Sequence, residues 1–175
     1  MIRSVKAVQS KNEAIIFGYG VKDPERYGVV TFNNERKVIN IEEKPNSPKS
    51  NYAVVGLYFY PNDVIGIAKN IEPSKRGELE ITQLNNLYLQ EKKLKVEILG
   101  RGIVWLDTGT FNSLHEASSY IRTIENRQGL KVGCPEEVAF RMGWITENEL
   151  IKLAEKNLKS EYGKYLIDIL RDDNL

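Results

Sequence analysis

The sequence is poor in the residues that build several common kinds of functional site. It contains one cysteine, Cys134, and one histidine, His115, in 175 residues. A lone cysteine cannot form an internal disulfide, and one cysteine with one histidine cannot supply the four ligands of a structural zinc site. No serine or cysteine partner for His115 is evident, so nothing indicates a nucleophilic triad. The cysteine content fits a protein of the reducing cytoplasm.

An excess of one charge and a long apolar run are also lacking. Lys and Arg number 25 against 24 Asp and Glu, for a formal net charge of +1. This balance gives no reason to expect a nucleic-acid or membrane partner. No apolar run approaches the roughly 18 residues that a membrane span needs, and we expect no signal peptide. The hydrophobic content of 41% is enough for one domain with a core.

The chain up to about residue 107 is predicted to consist mainly of strands. Asn33–Arg36 is a polar four-residue segment between two apolar runs, which predicts a β-hairpin. Two helices interrupt the series. The predicted strands are 13–21, 29–32, 38–43, 53–60, 95–99 and 103–106, and the predicted helices are 63–70 and 78–90.

The pattern turns helical after residue 107. Apolar residues from Phe111 to Ile124 recur at the helical period, Pro135 fits the first turn of a helix to Met142, and Thr146 with Glu149 forms a capping box. A last helix is predicted over 162–170. Strands mixed with helices indicate an α/β or α+β fold with a helical C-terminal part.

Asp107 ends a short apolar run just before the first of these helices. A carboxylate at a strand end in an α/β sheet faces the crevice where ligands bind, and carboxylates suit Mg²⁺. The alternative is that Asp107 caps the following helix by accepting bonds from backbone N–H groups.

Three further groups each allow two interpretations. In Ile41–Pro45, an acidic side chain, Glu42 or Glu43, could accept bonds from sugar hydroxyls while Lys44 holds a phosphate, or the charges simply end a solvated strand. In Ser74–Glu80, the basic residues Lys75 and Arg76 could bind an anion before a helix start, or the segment could be a plain helix entry with Glu78 and Glu80 complementing the helix dipole. Gly28 lets the backbone approach a ligand closely, or is an ordinary turn residue.

Read together, these groups resemble one family of sugar nucleotidyltransferases. The resemblance covers about residues 14–170, and it is to the glucose-1-phosphate thymidylyltransferases, which make dTDP-glucose from dTTP and glucose 1-phosphate and release pyrophosphate. It rests on segments that follow in the family's order and spacing, namely 17–19, 21–30, 41–45, 49–54, 56–60, 76–82, 105–110, 124–132 and 134–137.

The resemblance implies a role for each matching position. Gly28 and Val54 would line the sugar pocket through their backbones, and Glu43 would bond glucose hydroxyls. Lys44 would contact the sugar phosphate, with Arg76 near the same phosphate. Asp107 would be one of two aspartates that bind Mg²⁺, and the sugar phosphate would attack the α-phosphorus of dTTP in line.

The family's nucleotide-binding half is what the sequence lacks. It contains no Gly-Gly-x-Gly-x-Arg loop, and no Gly-Asp-Asn stretch precedes the first matching segment. Residues 1–12 resemble nothing in the family. Within the match, Val55 stands where a threonine is common and Gln83 where an aspartate is common.

These observations predict an incomplete fold of three parts. We expect the C-terminal part of a Rossmann-like mixed α/β sheet, followed by a helical segment: 1–12 unmatched, 13–109 sugar-phosphate binding, and 110–175 helical. The chain is expected to be a truncated, inactive enzyme part that binds glucose 1-phosphate or dTDP-glucose. A separate N-terminal chain could complete it, and we expect a homo-oligomer. The alternative is a non-catalytic sugar-phosphate-binding or oligomerisation module.

Overall fold

The computed structural model describes Val8 and residues 12 to 171, which form two compact units. The first unit ends at Trp105 and the second begins at Leu106. Most of the predicted unmatched segment, 1–12, lies outside the described residues.

The strands are β1 Ala14–Gly20, β2 Gly28–Phe32, β3 Val38–Glu43, β4 Tyr52–Phe59 and β5 Leu94–Ile98. The α-helices are α1 Val64–Ala68, α2 Ile81–Gln90, α3 Phe111–Gln128, α4 Pro135–Arg141, α5 Glu147–Glu155 and α6 Glu161–Ile169.

The five strands of the first unit form one mixed sheet. Their order is β3-β2-β4-β1-β5, with β1 and β5 parallel and the other pairs antiparallel. The prediction of a mixed α/β fold is therefore confirmed. The hairpin between β2 and β3 was also predicted correctly, because a polar segment separates two apolar runs there.

Both faces of the sheet bury apolar side chains. Ile16, Val30 and Ile41 are almost fully buried on one face, where Leu89 of α2 packs against them. Ile15 and Phe17, their neighbours in β1, are buried on the other face. Successive residues of a strand point to opposite faces, so a continuous apolar run such as β1 is typical of a strand covered on both sides.

Three of the four described helices of the second unit, α4, α5 and α6, share one small core. Leu150 and Ala154 of α5 and Leu166 of α6 are fully buried there, with Cys134 at the start of α4. Thr146 caps α5 as predicted, because its side chain accepts from Glu149 N while Glu149 Oε2 accepts from Thr146 N.

Two predicted elements differ from the structure. Residues 103–106 are not a strand, and Ile103 and Val104 are each about half exposed. An apolar run becomes a strand only if another strand pairs with it, and no described strand does so. The second difference is in α2, which begins at Ile81 rather than at residue 78.

Candidate active site

The β2–β3 hairpin brings two of the predicted site residues opposite each other. Gly28 at the start of β2 pairs with Glu43 at the end of β3. A Cβ placed on Gly28 would lie 3.3 Å from Glu43 Oε2, 3.0 Å from Thr82 Oγ1 and 3.8 Å from Val54 Cβ. Gly28, Glu43 and Val54 therefore meet at one place, and the glycine makes room for the carboxylate and the threonine there.

Helix α2 supplies a residue that the sequence analysis missed. The buried Thr82 donates a hydrogen bond of 2.5 Å from Oγ1 to Glu43 Oε2. Four residues on, Asn86 Nδ2 donates to the Ile41 carbonyl at 3.0 Å. The helix thus holds the end of β3 by two side-chain bonds and fixes one oxygen of the Glu43 carboxylate. A polar residue among the apolar residues of a helix is the signal that could have indicated such a partner, because buried hydroxyls are almost always bonded.

Arg76 lies beside the same carboxylate, within a set of three glutamates. Its Nη1 is 4.0 Å from Glu43 Oε1 and 3.7 Å from Glu80 Oε1, and its Nη2 is 3.3 Å from Glu78 Oε2. Arg76 is partly exposed, at 42% of its side chain. The structure therefore brings Arg76 to Glu43, and a groove of about 480 Å³ lined by Glu43, Ser74, Glu80 and Thr82 runs alongside.

Lys44, the residue after β3, has an unusual backbone conformation. Its φ of +41° lies in the left-handed region, which costs a non-glycine residue about 1 kcal/mol. Its N–H donates to the Tyr27 carbonyl at 3.0 Å, so the turn after β3 is fixed. The side chain is exposed. Sparsely populated backbone geometry is often found at functional positions. The contact of Lys44 with the sugar phosphate stays a prediction.

Two stacked tyrosines lie at the end of β4, and the first of them, Tyr58, is close enough to Glu43 to be affected by its charge. The rings of Tyr58 and Tyr60 are 5.9 Å apart and nearly parallel, and Tyr60 donates to the buried Asn85 at 2.6 Å. Burial raises the pKa of the Tyr58 hydroxyl, and the nearby charge of Glu43 raises it further. Tyr58 therefore stays protonated at neutral pH, and its hydroxyl can donate as well as accept hydrogen bonds there.

Asp107 belongs to the second unit, whereas the residues above belong to the first. The alternative interpretation of Asp107 as a helix cap is wrong. Thr110 caps α3, because its side chain accepts from Ser113 N, which leaves the carboxylate three residues before the cap. A Cβ on Gly109 would lie 3.3 Å from Asp107 Oδ2. No group of three or more His, Cys, Asp or Glu in the described ranges could hold a metal ion.

A sequence model of the nucleotidyl transferase family matches residues 1–124. The chain belongs to this family. The match includes the first twelve residues, for which the sequence analysis found no resemblance.

Several curated relatives carry one name. Glucose-1-phosphate thymidylyltransferase of Mycobacterium tuberculosis is 54% identical over 95% of this chain and 58% of its own length. The Neisseria meningitidis enzyme of the same name is 50% identical, again over 95% and 58%. The Xanthomonas campestris one is 58% identical over 87% and 52%. The chain thus spans little more than half the length of these relatives, and the resemblance to this family is confirmed.

Solved structures share the fold. A Bacillus anthracis protein described as a candidate glucose-1-phosphate thymidylyltransferase, in complex with a sucrose, is 43% identical with a TM-score of 0.58. The similarity covers 66% of this chain and 46% of that one. A UDP-glucose pyrophosphorylase complexed with UDP-glucose has the same TM-score at 24% identity, which shows the fold alone.

A candidate membrane-spanning helix, one with enough length and apolar character, is not found in the part of the chain that the structure describes.

Proposed function

We propose that the first unit is the sugar-phosphate side of a glucose-1-phosphate thymidylyltransferase site. The observation that carries the proposal is the meeting of Gly28, Glu43, Val54 and Arg76 at one end of the β2–β3 hairpin. A carboxylate beside an arginine suits a ligand with hydroxyl groups at one end and a phosphate at the other. Because the curated relatives are named glucose-1-phosphate thymidylyltransferases, glucose 1-phosphate is the ligand that we propose.

Each residue has a distinct part in the proposed binding. Glu43 Oε2 already accepts from Thr82, so Oε1 is the oxygen that would accept a sugar hydroxyl. The guanidinium of Arg76, at 4.0 Å from that oxygen, would face the phosphate. Lys44, whose side chain is exposed, would approach the phosphate as a flexible point charge. Backbone groups at Gly28 and Val54 would contact the sugar ring.

In the complete enzyme, an oxygen of the sugar phosphate would attack the α-phosphorus of dTTP. A new oxygen–phosphorus bond forms, the bond from the α-phosphorus to the bridging oxygen breaks, and pyrophosphate leaves with that electron pair. Positioning and charge stabilisation supply most of the rate in such transfers. This chain's contribution is to orient the attacking phosphate through Glu43 and Arg76.

Mg²⁺ at Asp107 also belongs to the proposal. The ion would neutralise charge on the phosphates, but Asp107 alone does not make a site, because no three-residue ligand group exists among the described residues. A second carboxylate would have to come from another segment.

We propose that these 175 residues by themselves do not complete the reaction. The sequence has no glycine-rich loop for a triphosphate. We expect weak binding of glucose 1-phosphate and no turnover of dTTP until a nucleotide-binding half, on the same or another chain, is supplied. A cytoplasmic location and self-association complete the proposal. The alternative of a non-catalytic module is not favoured by relatives that are named as enzymes.

Isothermal titration with glucose 1-phosphate, glucose and inorganic phosphate tests the proposal. We expect the sugar phosphate to bind more tightly than either fragment. Glu43→Gln should weaken the binding of glucose 1-phosphate but not that of inorganic phosphate. Arg76→Gln should weaken the binding of both glucose 1-phosphate and inorganic phosphate but not that of glucose. Equal heats for the wild-type chain and both variants would contradict the assignment.

A further inference from the structure

The segment that carries Arg76, between α1 and α2, is folded around Ser74. The Ser74 N–H donates to the Glu78 carbonyl and its carbonyl accepts from Gly77 N, both at 2.8 Å. Its hydroxyl accepts from Arg76 N at 3.2 Å and donates to Glu80 Oε1 at 3.1 Å. One hydroxyl therefore fixes both the backbone of Arg76 and a carboxylate that faces its guanidinium.

The two glutamates of this segment that contact Arg76 differ in how firmly they are held. The Glu80 side chain is 12% exposed and bonded to Ser74, whereas that of Glu78 is 61% exposed. An exposed pair of long side chains gains little, because solvent screens the charges and both chains lose rotamer freedom. The held carboxylate of Glu80 can orient a guanidinium, and the exposed carboxylate of Glu78 cannot do so to the same extent.

We propose that Ser74 and Glu80 are positioning residues that orient Arg76 for the phosphate of the ligand. This inference rests on the proposed function of Arg76. An arginine side chain loses considerable rotamer freedom when it binds, and a neighbour that restrains it in advance reduces that loss. The guanidinium has five N–H donors in a planar fork, so the donors that do not face Glu80 remain for the phosphate.

Four variants separate positioning from general stability. Ser74→Ala removes the hydroxyl that bonds to Arg76 N and to Glu80 Oε1, whereas Ser74→Thr keeps a hydroxyl at this position. Glu80→Gln keeps an acceptor for Ser74 but removes the charge opposite Arg76. Glu78→Gln is the matched control, since it removes a carboxylate at 3.3 Å from Arg76 that is not held by Ser74.

The first measurement needs no ligand. Amide hydrogen exchange followed by NMR reports the bond from Arg76 N to the Ser74 hydroxyl. We expect Ser74→Ala to lower the protection of the Arg76 amide by about tenfold, with Ser74→Thr and Glu78→Gln within about twofold of the wild type. Unchanged protection in Ser74→Ala would overturn the proposed restraint.

The second measurement is the Kd of glucose 1-phosphate for the same variants, each shown to fold by its NMR spectrum. Ser74→Ala and Glu80→Gln should weaken binding about fivefold, while Ser74→Thr and Glu78→Gln should change it less than about twofold. Equal affinities despite lost protection would overturn the positioning role. If the wild-type chain binds no glucose 1-phosphate although its Arg76 amide is protected, the proposed function fails, and the restraint stands as a structural feature with no role in phosphate binding.

Discussion

At the scale of single residues, the bond from Thr82 to Glu43 is the contact on which the candidate site most depends. Thr82→Val keeps the shape of the side chain but removes the hydroxyl. We expect the free energy of unfolding to fall by about 1.5–3 kcal/mol, because a carboxylate loses its bonded partner in a partly buried place. Urea denaturation measures the change.

Thr82→Ser is the matched control, since it keeps the hydroxyl and removes only a methyl group. It should retain most of the stability that the valine variant loses. A loss in Thr82→Val no larger than the loss in Thr82→Ser would show that the hydroxyl stabilises the protein no more than the methyl group does, and would contradict the prediction.

Tyr165 provides a residue-scale prediction about pH. Burial and the hydrogen bond that it donates to Glu137 raise its pKa to about 12, from 10.0 in the unfolded chain. Below pH 10 both states hold the proton, so the stabilisation is complete. Between pH 10 and 12 the unfolded state loses the proton first, and stability therefore falls as the pH rises.

Urea unfolding at several pH values, with tyrosinate absorbance as the second signal, checks this prediction. In Tyr165→Phe the fall in stability above pH 10 should be shallower than in the wild type. The slope does not vanish, because burial also raises the pKa of Tyr60, Tyr88 and Tyr162. An identical slope in the variant would contradict the raised pKa of Tyr165.

At the scale of elements, two helical glycines should respond in opposite ways to alanine. A Cβ on Gly163 in α6 would lie 2.2 Å from the Asn157 carbonyl oxygen, whereas one on Gly66 in α1 would meet nothing within 4 Å. We expect Gly163→Ala to lower the melting temperature by several degrees through a backbone clash of about 1–3 kcal/mol. Gly66→Ala should stabilise by about 0.5–1 kcal/mol, because alanine loses less entropy in a helix. Thermal unfolding compares the two, and a neutral Gly163→Ala would contradict the close packing.

The sequence indicated most elements because each has a local signal. The β2–β3 hairpin followed from a polar loop between apolar runs, and α5 from the pairing of Thr146 with Glu149. The apolar run 103–106 misled, because pairing with another strand is not a local property. The start of α2 was misplaced because Ser74 folds the preceding residues into a turn that needs Gly77 at φ +76°.

The candidate site was also predicted only in part from the sequence. Gly28, Glu43, Val54 and Arg76 were proposed from the resemblance, and the structure brings them together. Thr82 was missed because its partner lies 39 residues away in sequence. Its polarity within the buried face of α2 was the only local sign. Whether Asp107 serves the same site stays a prediction, because it lies in the other unit.

At the scale of the whole molecule, we expect the chain to bind glucose 1-phosphate without turnover of dTTP. The pure chain with dTTP, glucose 1-phosphate and Mg²⁺ should release no pyrophosphate above the background, because no triphosphate loop is found in its sequence. A coupled pyrophosphate assay measures this, with Asp107→Asn as the control. Release that the wild-type chain shows and Asp107→Asn abolishes would contradict the prediction.

Self-association is the second prediction at this scale. Val138, Met142 and Trp144 of the second unit are 53%, 61% and 70% exposed, and unpartnered apolar side chains of this size favour an interface. Light scattering should give a mass above the 20.0 kDa of one chain, and Trp144→Lys should lower it. A monomer at all concentrations would contradict this prediction.

The central claim is that one carboxylate at the end of β3 holds a phosphorylated sugar together with Arg76. A crystal structure of the chain with glucose 1-phosphate tests it most directly. We expect a sugar hydroxyl bonded to Glu43 and the phosphate against Arg76. A well-defined ligand elsewhere, with Glu43 still bonded only to Thr82, would contradict it.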